Sequence, residues 1–170
     1  MYDIKSAAYQ WRGKINNAQG QCFENYLKSA CEIYKSSERA VIEKTPEPFR
    51  VLEKHRDGKF TGRFTAHAQP DFSGTLKGGR SICFEAKYTS TDRINRSVLT
   101  QTQMDSLEYH HRLGAVSGVC IGIQDEFFFI PWEIWRDMKS HYKRQYLKTS
   151  DIQKYRVKFT GAIMFLDYLN

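Results

Sequence analysis

The chain has 170 residues, 41% of them hydrophobic and 14% aromatic, which is enough to bury one core and excludes a disordered protein. Lys and Arg number 26 against 19 Asp and Glu, and the net charge of +7 favours a polyanionic partner. No apolar run reaches the roughly 18 residues that a membrane helix needs. The polar start does not resemble a signal peptide, so we expect a cytoplasmic protein with no membrane partner. The four scattered cysteines have no zinc-site spacing and are expected to be reduced and buried.

The first predicted element is an amphipathic helix, because apolar residues recur at spacings of three and four up to about Ser37. Asn16 or Asn17 is a suitable N-cap, so the sequence predicts that residues 1–16 form a polar arm before the helix. Asp57-Gly58 is typical of a hairpin turn. Around it, three extended segments are predicted at Ala40–Lys44, Phe49–Glu53 and Phe60–Ala66.

The glycine pair Gly78-Gly79 separates two further extended stretches and predicts a second hairpin. A second helix is predicted for Thr100–Leu113, opened by a capping box of Thr100 with Gln103. The last predicted elements are a hairpin of Ala115–Ile123 with Glu126–Ile130, and a short helix that begins at Pro131. This order predicts an α/β domain in which helices pack on a mixed sheet.

Positive charge is concentrated between Arg136 and Lys158, where eight basic residues accompany two acidic ones. Tyr142, Tyr146 and Tyr155 interleave with these cations, as in surfaces that bind phosphates and stack on bases. A solvated helix face with the tyrosines turned into the core explains the same pattern, so both interpretations stay open. On the first interpretation, the candidate phosphate contacts in this segment are Lys143 and Arg144.

One face of the glycine-turn hairpin carries a candidate chemical site. If Lys77–Gly79 forms a three-residue loop, counting back along both strands places Asp71 opposite Glu85, and Lys87 lies on the same face. Two opposed carboxylates need a counterion, and hard oxygen ligands suit Mg²⁺, with Mn²⁺ as a substitute. Such an ion activates water for attack on a phosphodiester while a nearby ammonium group stabilises the transition state. An exposed salt bridge of Lys87 with either carboxylate is the alternative, because this spacing alone often arises by chance.

These residues match a known motif: Pro70-Asp71 followed by Glu85-Ala86-Lys87 looks like the PD-(D/E)xK signature of restriction-endonuclease-like nucleases. Over about residues 17–135 the chain resembles the RecU family of Holliday junction resolvases. The motifs that carry the resemblance, in the family's order, are Gly20-x-x-Phe23-Glu24, Lys44-Thr45-Pro46-Glu47-Pro48, Asp71-Phe72-x-Gly74, Phe84-Glu85-Ala86-Lys87 and Gln103-Met104-x-x-Leu107.

The resemblance implies a restriction-endonuclease-like α/β fold, with a mixed central sheet flanked by helices and a projecting β-hairpin stalk at Phe49–Ala66. It implies a homodimeric enzyme that recognises four-way DNA junctions and nicks two strands of like polarity with Mg²⁺. Residues 1–170 would form a single nuclease domain in which 136–170 are a basic C-terminal extension.

Residue roles follow from the resemblance position by position. Asp71 and Glu85 would be metal ligands, Lys87 the transition-state stabiliser, and Gln103 a further group at the metal or its water. A structural role in the capping box explains Gln103 as well. Gln69 stands where the family has threonine, and its amide oxygen is a weak candidate ligand.

Glu24, on the first helix, is a candidate supporting acid at the metal site; the alternative is a solvated side chain, as for most helix glutamates. The stalk and the loop before the second helix supply basic side chains that are candidate DNA contacts. Besides Lys143 and Arg144, these are Lys54, Arg56, Lys59, Arg63, Arg93 and Arg96.

Two other functions remain open at this point. One is a sequence- or mismatch-specific nuclease with the same active-site residues, which only substrate preference separates from a resolvase. The other is a junction-binding protein with an idle site. The idle-site alternative rests on Gln69 in place of the family's threonine, but the intact set of Asp71, Glu85 and Lys87 argues against it.

Overall fold

The computed structural model describes residues 4–46, 49–64 and 69–169, and the side chains of these residues except 4–17, 64 and 169. The α-helices in these ranges are α1 (Ile4–Ser36), α2 (Gln101–Arg112), α3 (Trp132–Arg136) and α4 (Met138–Tyr142). The strands are β1 (Ala40–Lys44), β2 (Phe49–Lys54), β3 (Phe60–Phe64), β4 (Phe72–Leu76), β5 (Ser81–Thr89), β6 (Arg93–Asn95), β7 (Val116–Ile123), β8 (Glu126–Pro131) and β9 (Tyr146–Lys148). Within the described ranges, no helix combines the length and the apolar character needed to cross a bilayer.

The central sheet has five strands in the order β1-β4-β5-β7-β8. Strands β5 and β7 pair in parallel, and the other neighbours are antiparallel, so the sheet is mixed as predicted. Every residue of β7 is buried, as expected of a strand covered on both faces. The fold is therefore the predicted α/β arrangement of a mixed sheet flanked by helices.

Two hydrophobic cores lie on the two faces of this sheet. The α1-side core contains Phe23, Leu27, Tyr34, Phe72 and Phe84, among others. The α2-side core contains residues of α2, α3 and β7, including Leu107, Val119, Ile121, Trp132 and Trp135. Because neighbouring residues of a strand point to opposite faces, the residues next to Phe72 and Phe84 face α2.

Helix α1 begins at Ile4, so the predicted N-cap at Asn16 or Asn17 and the arm before it were wrong. Residues 4–17 contain Ala, Gln, Lys and Arg, which favour helix, and they contain no proline that would stop one. Once the amphipathic part of the helix is packed, these residues extend it at little cost. Residues 1–3 of the predicted arm lie outside the described residues.

Strands β2 and β3 form a two-stranded sheet of their own, and all six residues of β2 are exposed. This agrees with a hairpin that projects from the central sheet. The predicted end of its second strand at Ala66 lies outside the described residues, as do Glu47 and Pro48 of the motif after β1.

The basic C-terminal segment is part of both cores. Leu147 and Ile152 are buried in the α2-side core, and Ile163 and Phe165 in the α1-side core. Of the three interleaved tyrosines, Tyr155 is buried, whereas the other two are half-buried. Three of the four cysteines are buried as predicted, but Cys22 is exposed on α1.

Candidate active site

The register of the β4–β5 hairpin is the predicted one. The loop Lys77–Gly79 joins the strands, and both of its glycines have positive φ values, 93° and 88°, which side chains disfavour. Phe72 pairs with Phe84, and their rings stack at a centroid distance of 5.0 Å in the α1-side core. Extending this register by one pair places Asp71 opposite Glu85, with both side chains on the face toward α2.

Asp71, Glu85 and Lys87 form one contact group, called the acid–lysine cluster below. The Nζ atom of Lys87 lies 3.1 Å from Asp71 Oδ2 and 3.0 Å from Glu85 Oε2. Asp71 Oδ2 also accepts a 3.0 Å hydrogen bond from the backbone N–H of Ala86. The Glu85 side chain is 0% exposed, and those of Asp71 and Lys87 are 25% and 22% exposed. The three side chains therefore converge at a site that is closed on the Glu85 side and open on the other.

Gln103 connects α2 to this cluster. Its Nε2 donates to Glu85 Oε2 over 2.5 Å, while its Oε1 accepts from the backbone N–H of Thr100 over 3.0 Å. The capping box with Thr100 is thus present as predicted. The oxygen of the Gln103 side chain caps the helix end, and its nitrogen holds the buried carboxylate of Glu85. The capping role and a role at the acid–lysine cluster are therefore compatible.

The three groups shift one another's pKa values. Burial, followed by the negative charge of Asp71, raises the pKa of Glu85 to about 7, although Lys87 opposes the change. Burial also raises the pKa of Asp71, but the ammonium group of Lys87 and hydrogen bonds from neighbours outweigh it and leave that pKa below its ordinary value. Burial lowers the pKa of Lys87, and the two carboxylates overcome this and raise it. Near neutral pH, the cluster therefore holds an ionised Asp71, a charged Lys87 and a Glu85 that readily takes up a proton.

The donor set of the cluster fits a hard divalent cation. Glu85 Oε1 is buried and has no hydrogen-bond partner among the described residues, which is unusual for a buried carboxylate oxygen. A cation on that side would satisfy Oε1 and relieve the repulsion between Glu85 and Asp71. One or two carboxylates are the usual protein ligands of Mg²⁺, which takes waters and substrate phosphate for the rest. In the described ranges no three His, Cys, Asp or Glu side chains group together, so an all-protein cage is absent there.

Gln69 and Glu24 are not part of the cluster. Gln69 is exposed, two residues before Asp71. Glu24 forms an ion pair with Lys44, and Lys44 pairs across the sheet with Phe72, which faces α1. Glu24 therefore lies on the α1 side of the sheet, whereas the acid–lysine cluster lies on the α2 side.

The four basic residues predicted on the stalk are all exposed on the β2–β3 hairpin or its turn. They are Lys54, Arg56, Lys59 and Arg63. The Nζ atom of Lys59 lies 3.2 Å from Asp57 Oδ2, but both side chains are largely exposed. Exposed ion pairs of this kind add little to stability. All four cations are therefore accessible to a partner.

The other predicted DNA contacts lie around the β6–β9 pair. The guanidinium carbons of Arg93 and Arg144 each lie 4.9 Å from the centroid of the Tyr146 ring, so the tyrosine holds two cations together. Arg144 is also ion-paired with Asp151 and half-buried. Arg96 is half-buried, and Lys143 is exposed. Lys143 and Arg93 are thus better placed than Arg144 to meet a phosphate.

Much of the positive charge in the C-terminal segment is neutralised by acids elsewhere in the fold. Four of its eight basic residues form ion pairs: Arg136 with Glu108 and Asp137, Arg144 with Asp151, Lys148 with Asp92, and Arg156 with Glu126. Three of these acids lie outside the segment, which is why counting charge along the chain overstates its field.

The family of the chain is identified by comparison with known proteins. A family model described as "Recombination protein U", RecU, matches residues 18–170, which includes the basic segment beyond the motifs. No curated protein sequence is similar enough to the chain to count as a relative. Among solved structures, the chain is similar to Hjc, a Holliday junction resolvase of the archaeal hyperthermophile Archaeoglobus fulgidus, with 13% identity and a TM-score of 0.48 over 77% of this chain and 89% of that one. Because the family model covers nearly the whole chain, the chain belongs to the RecU family, nucleases that resolve Holliday junctions in recombination.

Proposed function

We propose that the chain is a Mg²⁺-dependent endodeoxyribonuclease that cuts four-way DNA junctions at the acid–lysine cluster. The observation that carries this proposal is the convergence of Asp71, Glu85 and Lys87 on one sheet face, with Glu85 Oε1 buried and unpaired. Asp71 and Glu85 are the metal ligands and Lys87 the transition-state stabiliser. Gln103 positions Glu85, and Gln69 and Glu24 have no ligand role in this proposal.

The side chains divide the work of hydrolysis between them. When bound, Mg²⁺ would lower the pKa of a water molecule and offset charge on the phosphate. Gln103 holds Glu85 by Oε2, which leaves Oε1 free for the ion. The N–H of Ala86 holds Asp71 in the same way. Lys87, fixed by both carboxylates, donates its N–H groups toward the attacking water or a phosphate oxygen, where negative charge develops.

DNA binding in this proposal uses the exposed cations outside the cluster. Lys54, Arg56, Lys59 and Arg63 on the hairpin contact the junction, while Arg93, Arg96 and Lys143 contact phosphates beside the cut. Arg144 supports Arg93 through Tyr146.

The proposal includes a homodimer of single-domain subunits that act on DNA in the cytoplasm. A four-way junction has approximate two-fold symmetry, so a two-fold dimer would present one cluster to each of two strands. Analytical ultracentrifugation with and without junction DNA tests this state directly.

The central experiment is a cleavage assay on a synthetic mobile four-way junction, with and without Mg²⁺, beside a linear duplex of the same sequence. We expect paired nicks at matched positions in two opposite strands of the junction, only with the metal. Equal cutting of the linear duplex would favour a sequence-specific nuclease instead.

Removing single groups of the cluster tests the assignment of residues. We expect Asp71→Asn and Lys87→Ala each to lower the cleavage rate by about 100-fold or more, the scale of a lost transition-state contact. Junction affinity should stay nearly unchanged, because phosphate contacts elsewhere supply most of it. The exposed Asp125→Asn is the matched control and should cut normally. Full Mg²⁺-dependent cutting by both cluster variants would refute the site.

A further inference from the structure

An open groove of about 450 Å³ lies next to the acid–lysine cluster on the same face of the sheet. Its floor is made by two directly paired positions of β1 and β4, Val41 with Thr75 and Glu43 with Ser73. All four side chains are exposed. Ser73 follows Asp71 by two residues, so it points to the same face about 7 Å further along the strand. Gln69 and Pro70, directly before Asp71, also line the groove, which therefore lies beside the cluster and reaches the sheet edge at β1.

Helix α2 supplies the wall of the groove through His110. His110 comes seven residues, or two turns, after Gln103, so both lie on the same side of the helix. Leu107 between them is 0% exposed and anchors that side against the sheet. The neighbouring His111 points elsewhere, with its Nδ1 atom 4.0 Å from Glu133. The helix that holds Glu85 through Gln103 thus also sets His110 over the groove.

The lining of the groove suits a nucleoside better than a bare phosphate. Hydroxyl groups of Ser73 and Thr75 and the imidazole of His110 offer donors and acceptors, while Val41 offers an apolar surface. Glu43 forms no ion pair within the described part of the chain, and its charge disfavours a phosphate on the floor. Lys44 also lines the groove, but its ammonium group is already paired with Glu24. A carboxylate there can accept from the amino group of a base. The volume is in the range of small-molecule sites, about 300–1,000 Å³.

We propose that this groove binds the deoxynucleoside next to the scissile phosphate, with Glu43 and His110 in contact with it. The inference rests on the proposed nuclease function, since the cluster defines where the scissile phosphate lies. A strand cut at the cluster continues along β4 into the groove. Holding the adjacent nucleoside aligns the phosphate for attack, so the groove contributes to the cleavage rate more than to affinity.

A photo-crosslinking experiment tests occupancy of the groove without requiring cleavage. In a Cys22→Ser background, which removes the cysteine exposed in the structure, Thr75→Cys is labelled with a benzophenone maleimide. The labelled protein is then irradiated in the presence of a four-way junction, with Ca²⁺ in place of Mg²⁺ so that the experiment does not require cleavage. Thr160→Cys is the matched control, because residue 160 is also exposed but lies on the other side of the sheet. Its neighbour Phe159 packs against Tyr26 of α1.

We expect a DNA adduct from position 75 at the nucleotide beside the cut and none from position 160. If position 75 gives no DNA adduct, the groove proposal is overturned, whether or not the protein cuts DNA. An adduct from a protein that never cuts junctions would instead refute the nuclease function and leave DNA binding in the groove intact.

Cleavage kinetics test the role of the histidine. We expect His110→Ala to lower the single-turnover rate about tenfold with an unchanged junction Kd, and His111→Ala to cut normally. An abasic site at the crosslinked nucleotide should slow the wild-type protein but add no further loss to His110→Ala. Wild-type cutting by His110→Ala, with the abasic site slowing both proteins equally, would overturn the assignment.

Discussion

Glu85 is the residue whose ionisation decides whether the acid–lysine cluster is ready for a cation. Its side chain is fully buried, one oxygen has no partner, and its pKa is raised to about 7 by burial and by Asp71. A protonated carboxyl group does not ligate Mg²⁺, so on the proposed function metal binding would have to displace this proton. Below its raised pKa, Glu85 is mostly neutral, and protons would compete with the proposed metal.

The competition predicts a steep pH dependence of the metal requirement. Below pH 7 the fraction of ionised Glu85 falls tenfold per unit, so we expect the Mg²⁺ concentration for half-maximal cleavage to rise by up to about tenfold per unit. Above pH 8 the Mg²⁺ concentration for half-maximal cleavage should become independent of pH, because Glu85 is then mostly ionised. Cleavage rates measured across Mg²⁺ titrations at pH 6, 7 and 8 check this. An identical half-maximal concentration at pH 6 and pH 8 would show that Glu85 does not titrate in this range.

At the scale of secondary structure, α2 is joined to the cluster by a single side chain. Gln103 closes the capping box with Thr100 and at the same time donates to Glu85. A glutamate at this position would keep the oxygen that closes the capping box but lose the amide donor. The helix-capping and carboxylate-positioning roles of Gln103 can therefore be separated by substitution.

We expect Gln103→Glu to keep the helix cap but to lower the cleavage rate, because a second carboxylate then faces Glu85 where the amide group donated to it. Gln103→Ala should lower the rate as well and also destabilise the protein by about 0.5–2 kcal/mol, the scale of a lost cap. Thermal unfolding and junction cleavage of the two variants provide the comparison. Normal cleavage by Gln103→Glu would reduce Gln103 to a structural cap.

The β2–β3 hairpin is the other element with a separable role, because it forms its own small sheet and β2 is exposed throughout. Substituting its four basic residues by glutamine should leave the free energy of unfolding nearly unchanged. Junction affinity should fall, and the slope of log Kd against log salt should decrease by about 0.7–0.9 for each lost phosphate contact. The exposed Lys28→Gln and Lys35→Gln on α1 serve as charge controls. An unchanged salt slope in the hairpin variant would contradict its role in DNA binding.

At the scale of the whole molecule, the C-terminal segment completes the core beneath the site. Phe165 is 0% exposed, and its ring lies 4.8 Å from that of Phe84 and 5.1 Å from that of Tyr34. Phe84 directly precedes Glu85, so packing by the last part of the chain supports the strand that carries the site.

We expect Phe165→Ala to destabilise the protein by about 3–5 kcal/mol, the usual cost of emptying a large buried position. Phe159→Ala is the matched control and should cost much less, because Phe159 is 48% exposed. Urea denaturation gives both values. If both variants lose equally little free energy of unfolding, the C-terminal segment is not needed for the core.

Much of the fold and of the site geometry follows from interactions that are local in sequence. A three-residue glycine loop and strict alternation determine that Asp71, Glu85 and Lys87 share a face, and the capping box determines where α2 begins. The predicted boundaries of β1 and the partnership of β7 with β8 were confirmed for the same reason. The catalytic roles of these residues stay predictions, because they depend on a metal and a substrate.

Other features depend on contacts between residues far apart in the chain, and only the tertiary structure decided them. The ion pairs of Arg136 and Arg156 reduce a positive field that the sequence count overstates, and Glu24 turns to Lys44 instead of the cluster. His110 and β1 meet in a groove only because α2 packs across the sheet. Sequence spacing specifies the neighbours within a hairpin or a helix turn, whereas the packing of helices on a sheet determines which distant charges and surfaces come together.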